Sequence, residues 1–419
     1  MRKAHFFSLI SLIFFLCSTS YGLISDQRWT SYIEISWGTG AARYPSVISL
    51  GGKLILVWSD NRLGIYDLFY RIGSERGDGW GEEERLTATE TDSVAPDMAS
   101  DMRYVYLVWQ ERIGGGVIFF SRFNGDSWSD PIPISSQSQT ASDPRIAVMM
   151  SKPSPQVFVF WVTERENRSI LVYSTSVDDG RNWSFPKPVE ESDLPQITPD
   201  AASGMTSVYL TWVEGYQGKR RVRFKRLGNP SSERAMDVTG PGLNSSPRIA
   251  VWEPNLVLTW QSSSFIDEPW QITFAESTDF GDTWDGPELL TREPVESVLP
   301  CPVLTPGYIW IFWQSGGESG WRIRGALRQV KGDEWEKLDL LSSGEGEAEI
   351  EPTAIATPAP EIFQMHLAWS QQGTRERSAV LYSCLLYTSD AADEGFGVNL
   401  GGRRIVNKKI SSRYRGRTH

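Results

Sequence analysis

The sequence predicts an all-β chain folded as a β-propeller of seven four-stranded blades. A proline near the start of each unit and a tryptophan at the end of its second strand recur seven times, with the tryptophans 48 to 56 residues apart. Several strands per unit at such a period indicate a propeller or a related array. Long segments with a helical period are absent from the sequence, which favours strands throughout. The anchor pairs are Pro45/Trp58, Pro96/Trp109, Pro144/Trp161, Pro199/Trp212, Pro247/Trp260, Pro300/Trp313 and Pro352/Trp369.

Residues 247–291 show the complete unit. Two apolar segments lead from Pro247 to Trp260, and a polar loop joins them to a third segment at 272–275. The turn S-T-D-F-G-D-T-W then leads to the short fourth segment ELLT. One unit is therefore one four-stranded sheet.

The second strand of every unit is apolar on both faces, as expected for sheets that stack on each other. Its seven versions read LILVW, VYLVW, VFVFW, VYLTW, LVLTW, IWIFW and MHLAW. Radial closure of such sheets also protects their edges, which favours a ring over an open stack.

The turn between the third and fourth strands has the pattern S-x-D-x-G-x-x-W in two units. An Asp side chain accepts hydrogen bonds from backbone amides, Gly adopts a positive φ, and Trp covers the hairpin. We expect a structural role for these residues, and shorter versions of the turn surround Trp80, Trp128 and Trp335. The two intact copies consist of Ser176, Asp178, Gly180 and Trp183, and of Ser277, Asp279, Gly281 and Trp284.

These turns resemble Asp-boxes, and residues 29–383 resemble the sialidase-type β-propellers built from bacterial neuraminidase repeats. The resemblance implies the propeller fold. It does not imply an activity, because the box belongs to the scaffold.

The N-terminal segment, residues 1–22, predicts a secretory signal. Arg2 and Lys3 precede the apolar run FFSLISLIFFLC, and small residues follow it. The alternative is a membrane anchor, but the run is short compared with the ~20 residues of a spanning helix. We therefore expect a protein that is secreted, periplasmic or at the cell surface, with no membrane insertion after cleavage.

The propeller is predicted to span residues 26–383 and to begin on a fourth strand. The nine residues from Ser36 to Pro45 correspond to those that lead from a fourth strand into the next unit. This first strand should complete the last blade, with residues 32–35 pairing with residues 379–382.

Residues 384–419 differ in character from the repeats. The segment CLLYTSDAADE resembles the translation of a transposase adapter used for sequencing libraries, so we expect a non-native, disordered tail. The alternative is a natural basic tail.

Charge and the scarcity of two residue types exclude several functions. The chain has a net charge of −11, and an acidic protein is a poor partner for nucleic acid or an anionic membrane. Outside the leader and the tail the chain has Cys301 as its one cysteine and His366 as its one histidine. A zinc site and a Ser/His/Asp triad are therefore not expected. No nucleotide-binding motif occurs either, and we expect no metal and no cofactor.

The blade face without Asp-boxes is the candidate binding face. In an up-and-down sheet, the start of the first strand and the end of the second strand lie there, opposite the Asp-box turn. Charged residues concentrate at both positions. They are Arg43, Asp97, Asp143, Arg145, Asp200 and Arg248 at the starts, and Asp60, Arg62, Glu111, Arg112, Glu164, Arg165 and Glu214 at the ends.

The resemblance to sialidases implies roles for some of these residues. Arg43 in R-Y-P and Arg62 in S-D-N-R match arginines that bind the sugar carboxylate, and Arg248 is the candidate third member. Asp60 and Arg112 are further candidates for substrate binding. Asp67 is the candidate acid/base, and Glu214 with Tyr216 is the candidate nucleophile pair. The sequence departs from the family where Tyr44 stands between Arg43 and Pro45 in place of Ile.

The sequence is compatible with two functions. The first is a monomeric, non-catalytic module that binds a glycan or an extracellular protein, in which rim carboxylates pair with neighbouring arginines. The second is an exo-sialidase or a related glycoside hydrolase. Convergence of Arg43, Arg62 and Arg248 on one point would favour the second.

Overall fold

A computed structural model describes most of the chain between Gln27 and Tyr387. Within that part the chain forms 29 strands and no helix. No helix among these residues has the length and apolar character needed to cross a bilayer. The predicted signal at 1–22 and the tail from 388 lie outside the described residues. The described ranges are 27–150, 154–228, 234–317, 320–338, 348–358, 363–373 and 377–387.

Six antiparallel sheets each consist of four consecutive strands, which we number as blades 1 to 6. Blade 1 contains β3 (Ala42–Leu50), β4 (Lys53–Asp60), β5 (Asp67–Ser74) and β6 (Glu84–Arg85). Blade 2 contains β7 (Ser93–Ser100), β8 (Val105–Glu111), β9 (Val117–Phe123) and β10 (Ile132–Pro133). Blade 3 contains β11 (Ser142–Met149), β12 (Gln156–Arg165), β13 (Arg168–Ser176) and β14 (Lys187–Pro188).

The next three blades repeat this pattern. Blade 4 contains β15 (Gln196–Ser203), β16 (Ser207–Glu214), β17 (Arg221–Gly228) and β18 (Met236–Asp237). Blade 5 contains β19 (Leu243–Trp252), β20 (Asn255–Ser263), β21 (Gln271–Ser277) and β22 (Asp285–Leu289). Blade 6 contains β23 (Glu296–Thr305), β24 (Tyr308–Gly317), β25 (Gly320–Gln329) and β26 (Glu336–Lys337).

Blade 7 joins the two ends of the chain and closes the ring. Its strands β27 (Ala348–Pro358), β28 (Phe363–Gln372) and β29 (Ser378–Tyr387) pair with β1 (Gln27–Trp29) and β2 (Ile33–Glu34). Ile33 lies opposite Tyr382, and Glu34 lies opposite Leu381. The seven-bladed architecture and the predicted closure are both confirmed.

The last strand continues beyond the expected end of the propeller. Trp29 pairs with Leu385, and Cys384 is buried at 2 % exposure beside Thr30. The backbone of β1 supplies hydrogen-bond partners to this extension. The propeller therefore includes four residues of the segment that resembles an adapter.

The hydrophobic core lies between neighbouring blades and consists of seven clusters. The second strands supply its largest side chains, and Trp58, Trp109, Trp212 and Trp260 are 0 to 1 % exposed. The predicted two-sided burial of these strands is thus confirmed. Burial of one aromatic side chain of this kind stabilises the fold by roughly 1.5–3 kcal/mol.

His366 also packs in this core, on β28, and is fully buried. Its Nε2 lies 2.8 Å from the Thr357 hydroxyl, and its Nδ1 lies 2.6 Å from the Tyr382 hydroxyl. Burial lowers the pKa of His366 to about 4, so the ring is neutral at pH 7. The histidine serves packing, as the sequence predicts.

The two S-x-D-x-G-x-x-W turns have matching hydrogen bonds. The Ser176 hydroxyl donates to Asp178 at 2.8 Å and accepts from the Gly180 amide at 2.9 Å, and Ser277 repeats this with Asp279 and Gly281. Hydrogen bonds from the side chain and amide of Asn182 lower the pKa of Asp178 to about 2.

The tryptophans of these turns also contact aromatic side chains of the preceding blade. Trp183 meets Phe120 of the preceding blade edge-on at 5.0 Å, and Trp284 meets Phe224 in the same way at 5.0 Å. A Cβ on Gly180 would lie 2.3 Å from the Phe120 ring, so the position requires glycine for space as well as for its φ of 82°. The turn therefore locks adjacent blades together.

Candidate functional site

The first strands of all seven blades line a central channel, and each contains a β-bulge at its anchor proline. The register shifts there by one residue, as between Arg43 and Ser46 in blade 1. The residue before each proline has a backbone φ near +50°, a conformation that residues other than glycine rarely adopt. These residues are Tyr44, Ala95, Asp143, Thr198, Ser246, Leu299 and Glu351. The anchor prolines therefore lie inside the first strands, not at their starts as the sequence had suggested.

The bulges surround a cavity of about 410 Å³ in the channel. The cavity lies near the start of the first strands. The other end of each first strand lies near the turn between the third and fourth strands. In blade 1, for example, the amide of Glu75 in that turn donates to the carbonyl oxygen of Gly52, which follows β3. Five residues predicted for the candidate face line this cavity together. They are Asp97, Asp143, Arg145, Asp200 and Arg248, and Glu351 joins them.

Three carboxylates of the cavity bind backbone amides of the next blade. Asp97 accepts from the amide of Ile146 at 2.8 Å, and Asp200 accepts from the amide of Ile249 at 2.9 Å. Glu351 accepts from the amide of Tyr44 at 2.8 Å. Since each bond crosses from one blade to its neighbour, these acids have a structural role as well as a place in the cavity wall.

Two arginines of the cavity share one of these acids. Arg248 donates to Oδ1 of Asp200 at 2.9 Å, and Nε of Arg145 lies 3.4 Å from the same oxygen. Both guanidinium groups are thereby partly neutralised.

Two groups of the cavity have raised pKa values because they are buried. Burial raises the pKa of Asp97 to about 6, against the opposing charge of Arg145. Burial likewise raises the pKa of the Cys301 thiol to about 11, which makes it a poor nucleophile at neutral pH.

Asp143 is the available acid of the cavity. Its side chain is exposed and makes no hydrogen bond or ion pair with any residue that the structure describes. A free carboxylate next to bonded ones offers two acceptor oxygens to a ligand.

The structure places Arg43 against Glu351. Its Nε lies 3.1 Å from both oxygens of that carboxylate. Glu351 also accepts a bond from the Ser370 hydroxyl at 3.2 Å, so both partners are occupied by protein groups.

Arg62 lies elsewhere, above the ring of Phe69 at 4.4 Å. It donates to Asp60 at 2.5 Å and to Glu83, and it also binds the carbonyl oxygen of Trp37. The three arginines predicted to bind one carboxylate, Arg43, Arg62 and Arg248, therefore each contact a different set of protein carboxylates.

The candidate acid/base, Asp67, is fully buried at the start of β5. One oxygen lies 2.6 Å from Arg85, and the other accepts a bond from the Thr87 hydroxyl at 3.3 Å. Asp67 thus joins the third strand of blade 1 to its fourth strand and the loop that follows.

The candidate nucleophile pair is also apart from the cavity. Glu214 is buried at 3 % exposure and binds Arg223 and Gln196, whereas Tyr216 is 61 % exposed. The remaining candidate, Arg112, is exposed and lies 3.5 Å from Asp92.

Glu351 lines the cavity although it was not among the residues predicted for the candidate face. The signal was present, because Glu351 precedes the anchor Pro352 as Tyr44 and Asp143 precede theirs. Its partner Arg43 lies 308 residues away, which no local pattern reveals. Among the described residues, no group of three or more His, Cys, Asp or Glu side chains is arranged to hold a metal ion.

Comparisons with known proteins give a likeness in structure. No known protein family and no curated protein matches the sequence. The phage phi92 endosialidase superimposes with a TM-score of 0.51 and 11% identity, over 89% of this chain and 71% of that one.

Two further sialidases superimpose with lower TM-scores. A Trypanosoma rangeli sialidase mutant with trans-sialidase activity has a TM-score of 0.47 at 10% identity, over 84% of this chain and 58% of that one. A Hadza microbial sialidase has a TM-score of 0.45 at 17% identity, over 66% and 63%. The chain thus spans less than two thirds of either structure, and identities this low concern the fold alone. The antiparallel blades and the likeness to the phage endosialidase give this chain a sialidase-type β-propeller fold.

Proposed function

We propose that this chain is a secreted propeller that binds a glycan in its central cavity and has no sialidase activity. The observation that carries the proposal is the pairing of Arg43, Arg62 and Arg248 with protein carboxylates. Each guanidinium is held by its own protein carboxylate, so a sugar carboxylate would have to displace those partners. A site for anionic sugars needs free guanidinium groups that point to one place.

The charge of the cavity favours a neutral glycan. Its wall has the carboxylates of Asp97, Asp143, Asp200 and Glu351 and the guanidinium groups of Arg145 and Arg248. An excess of acids repels an anionic ligand, whereas hydroxyl groups donate hydrogen bonds to carboxylates without a charge penalty.

The form of the cavity favours a small ligand over a protein surface. Its volume of about 410 Å³ lies within the range of small-molecule sites. The free carboxylate of Asp143 supplies a polar contact that orients such a ligand, and prolines of the bulges supply apolar surface.

The test is calorimetric titration of the purified chain with lactose, cellotriose, maltotriose and chitotriose, and with 3′-sialyllactose as the charged counterpart of lactose. We expect at least one neutral sugar to bind, and lactose to bind no more weakly than its sialylated form. Asp143→Ala should weaken the binding at least 10-fold, whereas Asp126→Ala, on an exposed turn at the opposite face, should not.

Failure of every neutral sugar to bind would overturn the glycan proposal. A clear preference for 3′-sialyllactose that is lost in Arg43→Ala would instead support the sialidase-like site.

A further inference from the structure

The first strand of each blade forms the inner edge of its sheet, so some of its backbone amides face the central channel without a partner in the blade. In three blades such an amide donates to a side chain of the preceding blade. The accepting residue directly follows an anchor proline, and the donor lies two residues after the next anchor proline. The donor and acceptor pairs are Ile146 with Asp97, Ile249 with Asp200, and Ala354 with Cys301.

The amide of Ala201 in blade 4 has no such acceptor. Ala201 lies opposite Leu210 in the register in which Ile146 lies opposite Val159, so its amide also faces the channel. The residue at the accepting position of blade 3 is Arg145, and a guanidinium cannot accept a hydrogen bond. The Ala201 amide makes no hydrogen bond with any residue of the described ranges.

The other blades avoid this mismatch. Arg248 holds the accepting position in blade 5, but the corresponding residue of blade 6 is Pro302, which has no N–H. In blades 1 and 7 the position is held by Ser46 and Thr353, whose hydroxyl groups are able to accept. Ala201 is therefore the one amide in this set of described residues that faces a side chain unable to accept.

Arg145 also has a donor without a partner. Its Nη1 donates to the carbonyl oxygen of Pro144 at 2.7 Å. Its Nε is buried and makes no hydrogen bond within the described part of the chain. This atom lies 3.4 Å from an oxygen of Asp200 that already accepts from Arg248. Arg145 and Ala201 thus present two unpaired donors to the central cavity, which both residues line.

An acceptor lies in the same wall. Glu351 in blade 7 holds the position of Asp143 and binds the amide of Tyr44 in the next blade. Side chains at this position and at that of Arg145 are therefore both directed towards the next blade. The free carboxylate of Asp143 thus lies on the same side of blade 3 as Arg145, and both line the cavity.

We propose that the central cavity binds a sugar through a hydroxyl group held by the Ala201 amide, the Arg145 guanidinium and the Asp143 carboxylate. This inference rests on the glycan-binding function proposed above. A hydroxyl oxygen accepts from the two donors, and its proton goes to the carboxylate. A ligand carboxylate has no proton for Asp143 and is repelled by it, whereas an ammonium group has no lone pair for the two donors.

The test supplies the missing acceptor from the protein. Arg145→Asn introduces a side chain as long as Asp97, so its oxygen should satisfy the Ala201 amide and exclude the sugar. Calorimetric titration with lactose, cellotriose, maltotriose and chitotriose should show at least about 10-fold weaker binding of each sugar that the wild type binds. Without sugar, Arg145→Asn should melt about 2 °C above Arg145→Ala, which loses the same charge and supplies no acceptor.

A second variant removes the amide and keeps the arginine. Ala201→Pro should weaken sugar binding about 5-fold or more and should stay folded, because blade 6 has Pro302 at the same position. Its melting temperature confirms that it is folded. Unchanged sugar affinity in this folded variant would overturn the proposal.

The outcomes separate this inference from the function on which it rests. Absence of sugar binding to the wild type would overturn both. Equal sugar affinity of the wild type and Arg145→Asn would overturn this inference alone, because the glycan would still bind. Equal melting temperatures of Arg145→Asn and Arg145→Ala would also overturn it, because they would show that the Ala201 amide does not lack an acceptor.

Discussion

The guanidinium of Arg43 in blade 1 forms an ion pair with the carboxylate of Glu351 in blade 7, and its Nε lies 3.1 Å from both carboxylate oxygens. The amide of Tyr44 donates to the same carboxylate at 2.8 Å. The contact therefore crosses the seam where the two ends of the chain close the ring. The arginine that the resemblance to sialidases assigns to substrate thus joins blade 7 to blade 1.

Loss of this contact should destabilise the protein. Both side chains are largely buried, at 25 % and 13 % exposure, so Arg43→Ala leaves a carboxylate without its charged partner. We expect the free energy of unfolding to fall by about 1–3 kcal/mol, measured by urea denaturation at pH 7.5. Arg112→Ala is the matched control, because Arg112 is 54 % exposed and 3.5 Å from Asp92, and it should cost less than about 0.5 kcal/mol. Equal effects of the two substitutions would contradict the structural role.

Acid should destabilise the protein through His366, which bonds Thr357 and Tyr382 within blade 7. Its pKa falls from 6.5 to about 4 on folding, so the unfolded chain binds the proton more readily between these values. The contribution of neutral His366 to stability is fully present above pH 6.5 and is lost as the pH falls towards 4. At pH 4.5 the loss lowers the free energy of unfolding by roughly 2–3 kcal/mol. Asp97 acts in the opposite direction, because burial raises its pKa to about 6 and the folded state gains from its protonation.

The contribution of His366 is therefore isolated by comparison with His366→Gln, which does not titrate. Urea denaturation at pH 7.5 and pH 4.5 should show that the wild type loses more stability on acidification than the variant does. A variant with the same or a steeper pH dependence would show that His366 is not the group responsible.

Relief of strain at one bulge should stabilise the protein. Thr198 is β-branched and has a φ of 49°, and its hydroxyl is buried without a hydrogen-bond partner among the described residues. Thr198→Gly removes the strain and the unsatisfied hydroxyl, and it costs some entropy of the unfolded chain. We expect a net gain of about 1 kcal/mol in the free energy of unfolding.

The control for Thr198→Gly is Thr211→Gly, and the free energy of unfolding is measured for both variants. Thr211 is fully buried in a regular strand, and its hydroxyl donates to the carbonyl oxygen of Arg223 at 2.9 Å. Loss of that bond and of the packing should cost about 2 kcal/mol or more. If Thr198→Gly destabilises the protein as much, the bulge is not strained.

The fold could be predicted from the sequence because the same strand pattern is repeated seven times. Seven copies of one pattern show where the strands lie, and the fourth-strand character of the segment before Pro45 places it in the last blade. The pairing of Ile33 with Tyr382 follows from that argument. The bulges were missed because a proline followed by an apolar run is equally typical of a strand start.

The candidate site was harder to predict, since side-chain partners lie far apart in sequence. The face of the propeller and five residues of its cavity follow from strand direction alone. The partners of Arg43, Arg62 and Arg248 are Glu351, Glu83 and Asp200, which lie in different strands or in a loop. Burial of Asp67 likewise depends on Arg85 and Thr87, which no catalytic motif includes.

Hydrolysis of a fluorogenic sialoside, 4-methylumbelliferyl-N-acetylneuraminic acid, tests the central claim most directly. The purified chain should release no more fluorophore than a buffer blank over a day at pH 5 to 7.5, since Arg43, Arg62 and Arg248 are paired with protein carboxylates. Release of the fluorophore by the wild type that disappears in both Arg43→Ala and Tyr216→Phe would contradict a non-catalytic propeller.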